Sequence, residues 1–102
     1  MRILGFDLGT RTLGISISDY TNTIATTYKT IRFNEREYDS IIPEIKNIVH
    51  EFNVQKIVLG LPKNMNNSIG DRGLETLEFK KRLDDVMKNR ETYLEYAKSH
   101  LP

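Results

Sequence analysis

The sequence predicts an α/β domain on a mixed sheet, with three antiparallel N-terminal strands, a parallel fourth strand and flanking helices. Three observations lead to this prediction. Residues 2–8 are apolar on both faces, which is typical of a buried central strand. Residues 13–17 alternate apolar and small side chains, as a half-buried strand does. After residue 38 the apolar spacing changes to the period of a helix.

The first half of the chain is expected to hold the three antiparallel strands. The turn at residues 9–11 is short enough to make the first two strands a hairpin. Residues 23–33 are rich in Thr, Ile and Tyr and include Lys29 and Arg32, which favours an edge strand.

The second half is expected to alternate helix and strand. The apolar stripe over residues 38–52 predicts a helix with Asp39 or Ser40 as its cap. Residues 56–61 predict a short buried strand parallel to the first, and a second helix is expected to begin near Asp71. The chain then keeps a helical period to its end, so the sequence predicts that a fifth strand is absent.

Composition limits the classes of function. The 102 residues suffice for a single domain, and 15 Lys and Arg against 14 Asp and Glu leave a net charge of +1. Any basic surface must therefore be local. There is no cysteine, and His50 and His100 lack the spacing of metal ligands. No signal-peptide pattern and no apolar run long enough for a membrane span is found, so we expect a cytoplasmic protein without a membrane partner.

Asp7 is the principal candidate for chemistry. It interrupts an apolar strand, where an unpaired carboxylate is costly. A carboxylate there would suit Mg²⁺, and two such ions could activate a water and stabilise the leaving oxygen of a phosphodiester. The residue pattern supports equally well a carboxylate that only accepts hydrogen bonds from the amides of the turn.

The carboxyl ends of the first and fourth strands should meet at one edge of the sheet, beside the N-terminus of the second helix. The residues expected to bind phosphate or nucleic acid there are Gly9, Thr10, Arg11, Lys63, Asn64 and Arg72. Those expected to shape the loop are Gly60, Pro62, Gly70 and Gly73.

Simpler interpretations exist for these residues. Gly9 and Gly14 are explained by positive φ or close packing of strands, and Asp19 by a turn. Each basic residue, taken singly, reads as a solvated charge. Glu75 and Glu78 read as a solvated helix face, although either could reach toward the site.

Two segments of the chain carry motifs of a known family. Residues 1–19 contain an Asp-Leu-Gly turn at residues 7–9 and a second strand that ends in Ser-Asp at residues 18–19. Residues 56–66 contain Gly-Leu-Pro at residues 60–62, followed by Gly70. The first motif is weak alone, whereas the pair at this separation is specific. Together the two segments resemble the YqgF family, and the resemblance covers residues 1 to about 83.

The resemblance implies an RNase H-like fold with Asp7 as the first metal-binding carboxylate and Mg²⁺ or Mn²⁺ as the cofactor. It implies a metal-dependent endonuclease that matures the end of 16S ribosomal RNA, with Holliday-junction resolution as the older assignment. The partner would be precursor RNA or branched DNA, and the loop from Gly60 to Gly73 would lie beside the catalytic centre.

The chain departs from the family after Leu83. Family members continue into a fifth strand with an Asp-Glu-Arg motif and then into a helix with another aspartate, and neither is found here. Asp84 and Asp85 do not occupy the motif positions, so Asp7 alone is retained. We therefore expect a single domain over residues 1–102, truncated or divergent after about residue 83. We also expect a homodimer through an exposed edge of the fourth strand or a C-terminal helix.

Three functions are compatible with these residues. The first is the metal-dependent nuclease, and the second is a catalytically incomplete module of the same fold that binds nucleic acid or assists assembly. The third is an actin-like or sugar-kinase-like ATPase, because residues 7–10 also resemble a phosphate-binding hairpin. The third ranks last because the chain has no room for a second lobe.

Overall fold

The computed structural model describes residues 2–19, 25–63 and 69–88, together with the backbone of residues 91–98. The N-terminal strands are β1 (Arg2–Leu8), β2 (Thr12–Ser18) and β3 (Ala25–Arg32). They form an antiparallel meander in which β2 lies between β1 and β3. The prediction of three antiparallel strands is confirmed.

The fourth strand, β4 (Val54–Lys63), pairs in parallel with β1, as predicted. It is longer at both ends than the expected 56–61. A fifth strand, β5 (Glu91–Lys98), pairs in parallel with the other edge of β4. The sheet order is β3-β2-β1-β4-β5, so β1 is the central strand.

The presence of β5 corrects our expectation that the fifth strand is absent. Its register with β4 runs from Lys56↔Glu91 to Lys63↔Lys98. The local pattern misled because the apolar residues at 93, 94 and 97 fit a helical period as well as a strand. Pairing with β4 favours the strand, because without β5 the backbone N–H and C=O groups along that edge of β4 would lack hydrogen-bond partners within the sheet.

This correction removes the basis of the expected self-association. In the part of the chain that the structure describes, β4 has no open edge, and residues 91–98 form a strand where we expected helix. Neither of the two surfaces proposed for a homodimer exists in that part.

The helix predicted over residues 38–52 is divided into two elements. A short 3-10 helix (Tyr38–Ile41) leads into α1 (Ile42–Glu51), which has no side-chain cap. Neither Asp39 nor Ser40 caps α1, so that expectation was wrong. The Ser40 hydroxyl donates instead to the Glu37 carbonyl at 2.7 Å, which holds the 3-10 turn.

The second helix, α2, runs over Asp71–Met87 and begins where the sequence predicted. It ends at Lys88, which takes a positive φ of 52° and donates its N–H to the Asp84 carbonyl at 2.8 Å. A residue in this conformation cannot continue the helix, and the chain returns to the sheet as β5.

Both helices pack on one face of the sheet and enclose the core. Its largest fully buried side chains include Phe79 and Leu83 of α2, Ile45 of α1, and Leu4 and Leu59 of the sheet. The opposite face includes Gly5 and Asp7 of β1 and their β2 partners Ser16 and Gly14. Among the described residues, no helix is both long and apolar enough to cross a bilayer.

Candidate functional site

Asp7 lies near the carboxyl end of β1 on the face of the sheet that the helices leave open. Its neighbours Phe6 and Leu8 are buried, whereas Asp7 is exposed. The register of β1 with β4 runs only as far as Phe6↔Leu59, so Asp7 lies at the end of the paired region. A carboxylate at this place faces solvent instead of the apolar core.

Small residues surround Asp7 on the open face. Asp7 pairs with Gly14 of β2, where an added Cβ would lie 3.7 Å from the Asp7 Cβ. Gly5 and Ser16 form the preceding pair on the same face, and an added Cβ on Gly5 would approach the Ser16 hydroxyl to 2.6 Å. These small residues, which form a floor around Asp7, leave its carboxylate accessible to a large ligand.

The register of β5 places an acidic residue level with Asp7 along the sheet. Gly5 pairs with Val58, so Gly60 lies level with Asp7, and Glu95 is the β5 partner of Gly60. Sequence reasoning missed this position because it predicted helix there.

The turn between β1 and β2 is closed by backbone hydrogen bonds. The Gly9 N–H donates to the Thr12 carbonyl at 2.7 Å, and the Arg36 N–H donates to the Thr10 carbonyl at 2.8 Å. No described glycine has a positive φ, so Gly9 serves close packing rather than a left-handed turn. An added Cβ on Gly9 would lie 3.1 Å from the Thr12 hydroxyl.

Arg11 is more exposed than Arg72, the other arginine expected to bind phosphate. Its guanidinium pairs with Glu35 at 3.1 Å, but the two side chains are 72% and 50% exposed. An exposed pair of this kind is weak and exchanges easily for another anion. The Lys63 side chain and Asn64 lie outside the described residues.

Arg72 is already engaged within the protein. Its Nη2 donates to the Leu8 carbonyl at 2.5 Å, and its Nε lies 3.4 Å from Glu75 Oε2. It thereby joins the first turn of α2 to the end of β1, beside Asp7. Its expected contact with phosphate stays a prediction.

Glu75 is more than the solvated helix residue that the sequence suggested, because its side chain is only 24% exposed. Its carboxylate accepts hydrogen bonds from Arg36 Nε at 2.6 Å and from the Tyr38 hydroxyl at 3.0 Å. Burial raises the pKa of the Glu75 carboxyl, but these hydrogen bonds and the charges of Arg36 and Arg72 outweigh it, so the pKa lies below its ordinary value. Burial and the hydrogen bond to Glu75 raise the pKa of Tyr38.

The glycines of the loop bring α2 close to β4. An added Cβ on Gly73 would lie 2.5 Å from Ile69 Cγ2 and 3.1 Å from the Pro62 carbonyl oxygen. Gly70 precedes α2, and its carbonyl accepts the Leu74 N–H at 3.0 Å. These contacts place the N-terminus of α2 at the same edge as Asp7, as the sequence predicted.

Asp7 offers a carboxylate at this edge that a hydrated cation could use. Mg²⁺ commonly takes one or two protein carboxylates and fills its other positions with water and substrate phosphate. Asp7 can supply such a ligand. Within the described residues, no group of three or more His, Asp or Glu side chains comes together to hold a metal.

Comparison with known proteins gives the same fold and one family. The family model described as "RuvX: Holliday junction resolvase" matches residues 1–96, which extends beyond the resemblance to about residue 83. The chain is 42% identical over 88 residues to a "Putative pre-16S rRNA nuclease" of Caldanaerobacter subterraneus, covering 86% of this chain and 62% of the relative. It is 44% identical over 84 residues to the protein of the same name in Bacillus subtilis, covering 82% and 61%.

The chain therefore spans about three fifths of the length of these curated relatives. Among solved structures, Thermus thermophilus RuvC in complex with a Holliday junction superposes with a TM-score of 0.65 at 13% identity. The match covers 94% of this chain and 64% of that one. At this identity the likeness concerns the fold alone, and it confirms the RNase H-like sheet.

Proposed function

Because this chain belongs to the RuvX family of Holliday junction resolvases, we propose that it is a metal-dependent endonuclease acting on structured nucleic acid. The observation that carries the proposal is the exposed carboxylate of Asp7, at the end of the central strand and on a floor of small residues. We propose precursor 16S ribosomal RNA as the substrate, since the similar curated proteins are named for it. Branched DNA is the alternative substrate, from the family description.

In this function Asp7 would hold the cation, which we propose is Mg²⁺ or Mn²⁺. Such an ion would supply charge stabilisation at a phosphodiester and would lower the pKa of a bound water. The protein's own contribution is orientation. Arg11 at the tip of the hairpin can exchange Glu35 for a phosphate. We propose that Lys63, Asn64 and the N-terminus of α2 also bind phosphates of the nucleic acid. A substrate of this kind would place the protein in the cytoplasm.

A second function is a module of the same fold that binds nucleic acid or assists assembly without cleaving. The observation that favours it is that, among the described residues, Asp7 stands without a ready-made cluster of metal ligands. Binding through few phosphate contacts would weaken with salt but would need no cation.

Cleavage assays with a matched aspartate control separate the two functions. The purified chain is incubated with a precursor 16S RNA transcript or a four-way DNA junction, with and without Mg²⁺ or Mn²⁺. Asp7→Asn should abolish cleavage, because it removes the charge that holds the cation. Asp85→Asn, an exposed carboxylate on α2, should cleave like the wild type.

The outcomes are distinct. Cleavage that needs a divalent cation and Asp7 supports the nuclease. Salt-sensitive binding without cleavage, by a wild-type chain shown to be folded, would refute it and leave the binding module. Cleavage unchanged in Asp7→Asn would remove Asp7 from the site.

A further inference from the structure

Two arginines reach opposite ends of the turn that follows Asp7. Arg72 donates from its side chain to the Leu8 carbonyl at 2.5 Å, on the near side of the turn. Arg36 donates from its backbone to the Thr10 carbonyl at 2.8 Å, on the far side. The conformation of residues 8–10 thus depends on where these two arginines are held.

Both arginines contact the carboxylate of Glu75, and Arg36 also pairs with Glu35 at 3.2 Å through its Nη1, in a contact where both side chains are half exposed. Glu75 accepts a hydrogen bond from Arg36 Nε at 2.6 Å and lies 3.4 Å from Arg72 Nε. The Arg72 Nε is buried without a hydrogen bond, so this carboxylate is its electrostatic partner. Without the charge of Glu75, the buried Arg72 Nε would lose its carboxylate partner, and Arg36 would keep only its exposed contact with Glu35. We therefore expect both arginines to be held less firmly.

Tyr38 completes the arrangement. Its hydroxyl donates to Glu75 at 3.0 Å, and its ring packs edge-to-face on Phe79 of the core at 6.0 Å between centroids. The Glu75 carboxylate is therefore held in place by the packed ring of Tyr38 while it binds the arginines.

We propose that Glu75 is a positioning residue, which fixes the turn after Asp7 through Arg72 and Arg36 and so sets cation binding at Asp7. The part about cation binding rests on the proposed function. The part about the turn rests on the contacts alone, and the two parts are tested separately.

Amide hydrogen exchange on the whole chain tests the turn. The reporters are the Gly9 N–H, bonded to the Thr12 carbonyl, and the Arg36 N–H, bonded to the Thr10 carbonyl. In Glu75→Gln both should exchange faster by about tenfold or more, the effect expected for the loss of a hydrogen bond to a charged group. Amides inside the sheet, such as that of Leu4, should change no more than in the control.

The control is Glu78→Gln, which removes the same charge from the same helix. The Glu78 carboxylate pairs only locally with Lys81 at 3.2 Å, and both side chains are more than half exposed. Arg72→Lys is a second test variant, because an ammonium cannot reach both the Leu8 carbonyl and Glu75 as the planar fork does. If exchange at Gly9 and Arg36 is equal in the two glutamine variants, or rises uniformly through the sheet, the proposal is overturned.

Paramagnetic broadening by Mn²⁺ tests the link to Asp7. In the wild type, Mn²⁺ should broaden the amide signals around Asp7, and Glu75→Gln should need roughly tenfold more Mn²⁺ for the same effect, one factor of ten in affinity. Equal midpoints despite a loosened turn would overturn the link. No broadening in the wild type would refute cation binding at Asp7, and the exchange result would still decide the role of Glu75 in the turn.

Discussion

Gly73 and Gly60 both lie at the junction of α2, β4 and the central strand, yet they have different room for a methyl group. A Cβ on Gly73 would lie 2.5 Å from Ile69 Cγ2 and 3.1 Å from the Pro62 carbonyl. On Gly60 the nearest atom would be the Phe6 carbonyl oxygen at 3.6 Å, an ordinary contact. The first substitution requires the Ile69 side chain to move and α2 to shift slightly from the Pro62 backbone, whereas the second requires neither.

We therefore expect Gly73→Ala to lower the free energy of unfolding by about 1–3 kcal/mol, the usual cost of overpacking. Gly60→Ala should change it by less than about 0.5 kcal/mol. Urea denaturation of the two variants checks this. Equal losses would mean that α2 can shift freely at its first turn and that Gly73 does not set its distance from β4.

Single residues also show what the sequence could predict. The exposure of Asp7 could be predicted because a carboxylate between Phe6 and Leu8 breaks an apolar strand, and a strand exposes alternate residues. Its role in a site stays a prediction. The contacts of Glu75 could not be predicted, because its partners Arg36 and Tyr38 are 39 and 37 residues away. Only the fold brings them together, and nothing in the local pattern distinguishes Glu75 from Glu78.

At the scale of elements, β1, β2 and β4 could be predicted because their buried positions are occupied by apolar residues, which form recognisable strand patterns in the sequence. The segment that becomes β5 is different. Its polar and apolar residues fit the period of a helix as well as that of a strand, and pairing with β4 stabilises the strand. The division of the first helix into a 3-10 turn and α1 escaped prediction for a similar reason, since both keep the same apolar stripe.

Hydrogen exchange along β4 tests its place inside the sheet. With β1 on one side and β5 on the other, successive amides of β4 point to different partners, and all should be protected. We expect continuous protection from Ile57 to Leu61. The edge strand β3 is the internal control and should show protection at alternate residues. Alternating protection along β4 would mean that β5 does not pair with it in solution.

At the scale of the whole molecule, the protein is nearly neutral, with a net charge of +1, so local contacts govern its response to pH. The Glu75 carboxyl is held between α2 and the segment before α1, and its pKa in the folded state lies below the ordinary 4.5. A lowered pKa means that the ionised form stabilises the fold. This contribution is fully present above about pH 4.5, the ordinary value, and is lost as the pH falls through the lower folded-state pKa.

We expect the wild type to be more stable than Glu75→Gln near neutral pH, with a difference that shrinks as the pH falls below about 4.5. The reason is that protonation removes the negative charge from the wild-type side chain, as the substitution does in the variant. Chemical denaturation at a series of pH values from about 3 to 7 measures the difference, within the range where carboxyl groups titrate. Glu78→Gln controls for the loss of one negative charge from α2. A difference that stays constant over this range would show that the charge of Glu75 does not hold α2 to the neighbouring segment.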